Sequence, residues 1–327
     1  MTSAEKTGSR TKGGFDLSKL LGENGALLGL LVLAGALWLM VPSFGSPQNL
    51  LNIGVQAAVV AVMAFGVTFV IISGGIDLSV GSVAALSAMV GSYSAAELGL
   101  SSELALIMGL LTGVAAGLVN GMLVSFGKLP AFIATLAMLS IARGLTLVVS
   151  EGRPVATPES ISFLGSTLEL GSFQLPVPVI ILLGMFLVTG FVLVRTYSGR
   201  AMYAIGGNEE AARLSGINVR NQKLVVYALS GLFAAMAGMM LAGRLSSAGP
   251  QAAEGYELDA IAAVVIGGAS LSGGIGRATG TLVGALILAV LRNGLNQLQV
   301  SSFWQQVVIG VVIALAVLVD TLRRRGR

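Results

Sequence analysis

Whatever chemistry this chain performs, it performs without the common reactive side chains. Its 327 residues include no cysteine and no histidine, which excludes disulfides, thiol nucleophiles, zinc centres and histidine bases together. A small set of polar groups remains in a sequence that is 55% hydrophobic and 10% charged. Asp77 and Ser79 follow a glycine pair, and Arg143 and Arg292 fall inside apolar runs. Asn120, Asn293 and Asn296 carry amides, which both donate and accept hydrogen bonds. Glu254, Tyr256, Glu257 and Asp259 make an acidic patch, and Asn208, Glu209, Glu210, Arg213 and Gly216 crowd into "GGNEEAARLSG" at 206–216. No G-x-x-x-x-G-K-[ST] loop occurs. "FGKLP" at 126–130 lacks its glycine spacing and its hydroxyl, so the chain has no phosphate cradle of its own. "SFGK" at 125–128 fits S-x-x-K without companion motifs and reads as chance. The expectation is a protein that is not an enzyme, and whose polar residues bind, gate or dock.

The elements that hold these groups follow from hydropathy. A mean hydropathy of +0.89 with 45 glycines points to a polytopic membrane protein, since glycine is common in packed transmembrane helices. Apolar runs long enough to cross a bilayer lie near 25–42, 52–73, 78–99, 104–127, 130–150, 177–195, 224–243, 258–275, 278–298 and 303–322. The expected fold is therefore all-α, with about ten transmembrane helices forming one permease domain over 25–322. The first run follows 24 polar residues, has no small-residue cleavage site after it, and reads as an uncleaved anchor. Ten spans place both ends on one side. Fifteen of the 19 lysines and arginines then fall on that side, only Arg153 and Arg244 on the other, and two inside spans. By the positive-inside rule both termini are cytoplasmic: a tail at 1–24 and a basic tail at 323–327. The loop 196–223 is then cytoplasmic, and the acidic loop 151–176 and the stretch 244–259 lie on the outer side.

The sequence also echoes itself. "GGIDLSVG" (74–81) and "GGASLSGG" (267–274) share G-G-x-x-L-S-x-G at a separation of 193 residues. Paired glycines interrupt a helix, and Asp77 and Ser270 are expected to cap the helices that follow. Such matched breaks in two related halves point to a transport pathway; the alternative is two tight turns of similar chemistry. Glycine at every fourth position, in Gly109, Gly113, Gly117 and Gly121 and again in Gly276, Gly280 and Gly284, reads as helix packing. The segment "NEEAARLSG" reads as a short helix: Asn208 at the N-cap, Glu209 and Glu210 at the positive end of the dipole, Arg213 toward the other end and Gly216 at C′. So short a helix persists only when held by its own protein or a partner.

Glu210-Ala211-Ala212 followed by Gly216 resembles the E-A-A-x-x-x-G pattern of ABC-importer permease subunits. "GVTFVIISGGIDLSVGSVAAL" (66–86), "FIATLAMLSIARGLTLV" (132–148), "YAIGGNEEAARLSGINV" (203–219) and "GYELDAIAAVVIGGASLSGGIGR" (255–277) are similar to the monosaccharide-importer permeases, above all to those for ribose. The resemblance runs from about residue 50 to the C-terminus. It implies that Asn208, Glu209, Glu210, Arg213 and Gly216 dock an ATPase subunit, which binds the ATP and magnesium that this chain does not. It also implies a periplasmic sugar-binding protein, a second copy of this chain, and a place in the bacterial inner membrane among its lipids; no nucleic acid is expected. A neutral sugar needs hydrogen-bonding groups on its path, which makes Asp77, Ser79, Asn120, Asn293 and Asn296 pathway or gate candidates, with helix bridging as the asparagines' alternative role. Glu254, Tyr256, Glu257 and Asp259 are candidates for an outer gate or for docking the binding protein. The rival is a carrier driven by an ion gradient, for which Asp77, two arginines and no histidine are thin equipment. Within the family, xylose, arabinose, galactose, an inositol or a furanose-like signal stands beside ribose.

Overall fold

The computed structural model of the chain describes residues 17–171 and 173–325. Most of the predicted N-terminal tail and the last two residues of the basic tail lie outside them. Ten of the helices among the described residues overlap the ten apolar runs, α11 covering only the first half of its run: α1 (Leu17–Met40), α2 (Pro47–Ile72), α3 (Val80–Ala96), α4 (Ser102–Ser125), α5 (Ala131–Ser150), α7 (Val177–Arg195), α10 (Val219–Leu245), α11 (Tyr256–Ile266), α12 (Ala278–Gln297) and α13 (Ser302–Arg325). Short α6 (Glu159–Leu164), α8 (Tyr197–Gly207) and α9 (Glu209–Leu214) lie between them. Among the described residues six helices, α2, α4, α5, α7, α10 and α12, are long and apolar enough to cross a membrane.

The bundle is built around α2. Its sequence is apolar on every side, the mark of a helix with no solvent face, and every residue from Ala57 to Ile72 is buried. Ser46 caps it by accepting the Asn49 N–H at 3.3 Å, and Pro47 begins the first turn. The first glycine ridge does what its spacing predicts. Gly109, Gly113, Gly117 and Gly121 of α4 lie along α10, where a Cβ at Gly113 would stand 2.6 Å from that of Ala235. The second ridge brings α12 against α11 at Gly267 and Ala263. Large side chains stay outside on α5, α7 and α13, as with Val148, Phe191 and Phe303. A membrane-embedded surface can expose such groups because lipid is as apolar as they are.

Two departures from the sequence reading have physical causes. The run 258–275 is not one helix: α11 stops at Ile266 after 11 residues, about 16 Å at ~1.5 Å per residue. Gly268, Gly273 and Gly274 then take φ of +89, +87 and +73°, and 267–277 continues as irregular chain. Such backbone is tolerated at membrane depth only inside protein, and here its polar groups find partners: Ser270 N–H donates to Ile275 O and Gly274 N–H to Ile72 O, both at 2.9 Å. The loop 151–176 is also more structured than its polarity suggested. It holds α6, a strand β1 (Val155–Ala156), and the hairpin of β2 (Thr167–Leu170) with β3 (Phe173–Pro176). β1 pairs antiparallel with β4 (Ser247–Ala248), so 151–176 and 244–255 occupy the same end of the molecule. The opposite end gathers Ser73–Gly75, Ser125–Ala131 and Asn218–Lys223 around α9.

Candidate functional site

At that opposite end α9 forms as its sequence predicts. Asn208 Oδ1 accepts the Ala211 N–H at 2.9 Å, and Glu209 and Glu210 occupy the first turn. Gly216, at φ +87°, lets the chain reverse: Ile217 N–H donates to Ala212 O at 3.1 Å and Gly216 N–H to Arg213 O at 3.0 Å. That pair of bonds is a Schellman closure. Arg213 pairs with Glu210 one turn away, and Lys223 Nζ of α10 reaches Glu209 at 2.8 Å. Ala212 alone is buried, among Ile205, Ile217 and Val219. A single apolar peg thus seats the helix while its charged face stays outside. Leu214, 79% exposed, completes that face. Sequence reading passed over it because an apolar residue is assumed to point inward.

Behind α9 the two glycine breaks meet. Gly274 N–H bonds Ile72 O, and a Cβ on Gly273 would stand 3.0 Å from Gly74 Cα and 2.7 Å from Gly206 O. Gly206, two residues before the α9 cap, lies against Ile72 O and Gly274 N so closely that no side chain fits. The sequence echo is therefore a spatial junction: both breaks and the entry to α9 share one glycine-lined contact.

The polar core begins just past the first break. Asp77, 2% exposed, accepts from the Ser79 N–H at 3.0 Å and the Ser79 hydroxyl at 2.6 Å on Oδ1, and from the Ser230 hydroxyl at 2.8 Å on Oδ2. Asn120 Nδ2 donates to Ser79 Oγ at 2.9 Å, while its Oδ1 is buried with no partner among the described residues. Three of the five pathway candidates thus form one network. The expected capping role is corrected. Asp77 bonds the Ser79 N–H ahead of α3, whose N-cap Ser79 makes no side-chain cap bond. Ser270 likewise accepts the Ser272 N–H at 3.1 Å, well before α12 begins at Ala278. Both stabilise the turn after the glycines rather than the helix beyond.

Asn293 takes the bridging role. It exchanges amide bonds with Asn49 of α2 at 2.9 and 3.0 Å and accepts from Gln297 at 3.1 Å. Asn296 is exposed and accepts from Gln305 Nε2 at 2.8 Å. The acidic patch divides as well. Glu254 is exposed and Tyr256 and Glu257 are half-buried, but Asp259 is 3% exposed and ion-paired to Arg292. It is therefore not part of an open docking surface. The Arg292 guanidinium lies 5.8 Å over the Tyr256 ring, and Arg143 donates to Pro250 O and Ala252 O at 2.8 and 3.1 Å. Neither arginine meets Asp77, and no sequence signal linked Arg292 to a residue 33 positions away.

The family described as "Branched-chain amino acid transport system / permease component" matches residues 49–317. The ribose import permease protein RbsC of Bacillus subtilis (strain 168) is 49% identical over 299 residues, covering 90% of this chain and 92% of that protein. RbsC of Escherichia coli (strain K12) is 48% identical over 309 residues, 92% of this chain and 94% of that one. The xylose transport system permease protein XylH of the same organism is 36% identical, with 88% of each chain covered. No solved structure matches. With its glycine breaks, its short capped helix α9 and its bundle of apolar helices all inside the matched region, the chain belongs to the permease family of the ABC sugar importers.

Proposed function

We propose that the chain is the membrane subunit of an ATP-driven importer that carries a monosaccharide, ribose first, from a periplasmic binding protein into the cytoplasm. The observation that carries this reading is α9, a capped, salt-bridged helix presenting Glu209, Glu210, Arg213 and Leu214 outward. It is joined through Gly206 to both helix breaks. A separate ATPase subunit, docked on that face with its ATP and magnesium, would move α8 and α9, and the breaks would move with them. The similarity to ribose and xylose permeases supports the substrate class. In this reading ten helices cross the bacterial inner membrane with both termini cytoplasmic. Residues 25–322 make one permease domain between the tails 1–24 and 323–327, and two copies pair around the pathway. Asp77, Ser79 and Asn120 act near the gate, and Glu254 and its neighbours receive the binding protein.

Uptake separates this from a gradient-driven carrier. Proteoliposomes holding the permease, its ATPase and the loaded binding protein are expected to accumulate labelled D-ribose with ATP inside the compartment that the ATPase faces. A protonophore with a sodium ionophore should leave that uptake intact. Uptake that needs no ATP and collapses with the ion gradients would sink the proposal. Competition by unlabelled xylose, arabinose, galactose and inositol ranks the sugars.

A further inference from the structure

A polar cavity between membrane-spanning helices needs a reason, because polar groups there cost free energy unless something bonds to them. One such cavity, of about 270 Å³, lies between α2, the end of α10, α11, α12 and the start of α13, and its polar lining includes Gln56, Arg244, Tyr256, Asp259, Arg292 and Gln305. It shares Tyr256, Asp259, Arg292 and Gln305 with a second space of about 740 Å³ along the first turns of α13. Both lie at the end of the molecule that carries 151–176 and 244–255.

The lining is organised and incompletely used. Asp259 meets Arg292 through Oδ2, and no described residue bonds its Oδ1. Gln305 spends Nε2 on Asn296 Oδ1 and Val300 O, at 2.8 and 2.9 Å, which leaves its Oε1 as an acceptor. Gln56 makes no side-chain hydrogen bond among the described residues, although it stands immediately before the fully buried stretch 57–72 of α2. The Arg292 guanidinium stacks near the Tyr256 ring and fixes one aromatic wall. Across the two joined spaces Asp259 and Glu254 balance Arg292 and Arg244 in charge, so together they suit a neutral ligand. Acceptors beside donors suit hydroxyls, each of which both donates and accepts. An aromatic wall suits the C–H face of a sugar ring.

We propose that this cavity is a weak monosaccharide subsite at the outer mouth of the pathway. Neighbouring hydroxyls are held by Asp259 Oδ1 and Arg292, further ones by Gln56 and Gln305, and the ring face lies on Tyr256. The inference rests on the importer reading for its ligand class, and it adds the residues that receive the sugar after the binding protein lets go. Weak binding is what onward transfer requires; a dissociation constant in the millimolar range, about −4 kcal/mol, keeps the site from trapping its cargo.

The test uses saturation-transfer NMR with D-ribose and D-xylose on the full-length permease in nanodiscs, without ATPase or binding protein. Transfer to sugar ring protons is expected in the wild type. It should fall at least fivefold in Gln56→Ala, Gln305→Ala and Tyr256→Leu, and persist in Tyr256→Phe, which keeps the ring. Gln56→Ala and Gln305→Ala sit at partly exposed positions, so a variant that loses its thermal melt is replaced by the other. No transfer in the wild type, or equal transfer in wild type and variants, overturns the subsite. ATP-driven uptake is judged apart. Site-dependent transfer with no ATP-driven uptake sinks the importer reading and keeps the cavity's ligand. Uptake without site-dependent transfer sinks the subsite alone.

Discussion

Asp77 shows what one residue type was able to reveal in advance and what it was not. Its position after a glycine pair marked it, because a carboxyl group between apolar runs must be satisfied. The structure satisfies it with three hydroxyl and amide donors and, among the described residues, no arginine or lysine. The serines that complete the network, Ser79 and Ser230, are 151 positions apart, and only α10 packing beside α3 brings them together. Periodicity marks which residues are buried without naming their partners, which is why capping was the expectation. A sharp contrast follows for two substitutions. Asp77→Asn keeps an acceptor for the Ser79 donors and turns an N–H toward Ser230, whose hydroxyl can rotate to accept, so the thermal midpoint in nanodiscs should fall by only a few degrees. Asp77→Leu strands three donors in a dry core, at about 1–3 kcal/mol each, and should lose the cooperative melt or most of the expressed protein. Equal stability in the two variants would mean that the network contributes little, and that the aspartate is held for another purpose.

At the level of elements, α9 was the most legible piece of the chain and α11 among the least. Every local signal of α9 agrees, from the Asn208 cap to the Gly216 reversal, so no tertiary information was needed. The end of α11 depends on where the second glycine break packs, against Ile72 and Gly206, and a continuous apolar run cannot disclose that. The coupling reading makes α9 the place where two kinds of damage come apart. Leu214→Glu removes an exposed apolar contact and disturbs nothing inside, since Leu214 faces outward. It should weaken binding of the ATPase subunit by roughly tenfold, about 1.4 kcal/mol, with an unchanged melt of the isolated permease. Gly206→Ala forces a methyl group onto the Ile72 carbonyl and Gly274. It should leave the exposed face of α9 intact and hold the ATPase, yet cut ATP-driven uptake by an order of magnitude or more, because the joint between α8 and the two breaks cannot close. Co-purification of the two subunits beside uptake measures both. If Gly206→Ala lost the ATPase while Leu214→Glu kept it, force would not enter through this face.

For the whole molecule, the arrangement of charge predicts which end faces which compartment. Lys128, Arg213, Arg220 and Lys223 gather around α9 at one end, and Arg244 stands with the 151–176 loop at the other. Span parity divides these residues in the same way, and the pairing of β1 with β4 holds 151–176 and 244–255 together at one end. Sidedness is open to direct measurement. The chain offers an unusual advantage, having no cysteine of its own: a single introduced thiol is the only one present, with no background to remove. Leu214→Cys and Glu254→Cys place that thiol on exposed side chains at opposite ends. In intact spheroplasts a membrane-impermeant maleimide should label Glu254→Cys and spare Leu214→Cys, and permeabilisation should expose the second. The reverse pattern would put the α9 face outside the cell, where no ATPase with access to ATP could dock. Labelling of both in intact cells would mean that the two ends share a compartment, and the parity of ten spans would be wrong.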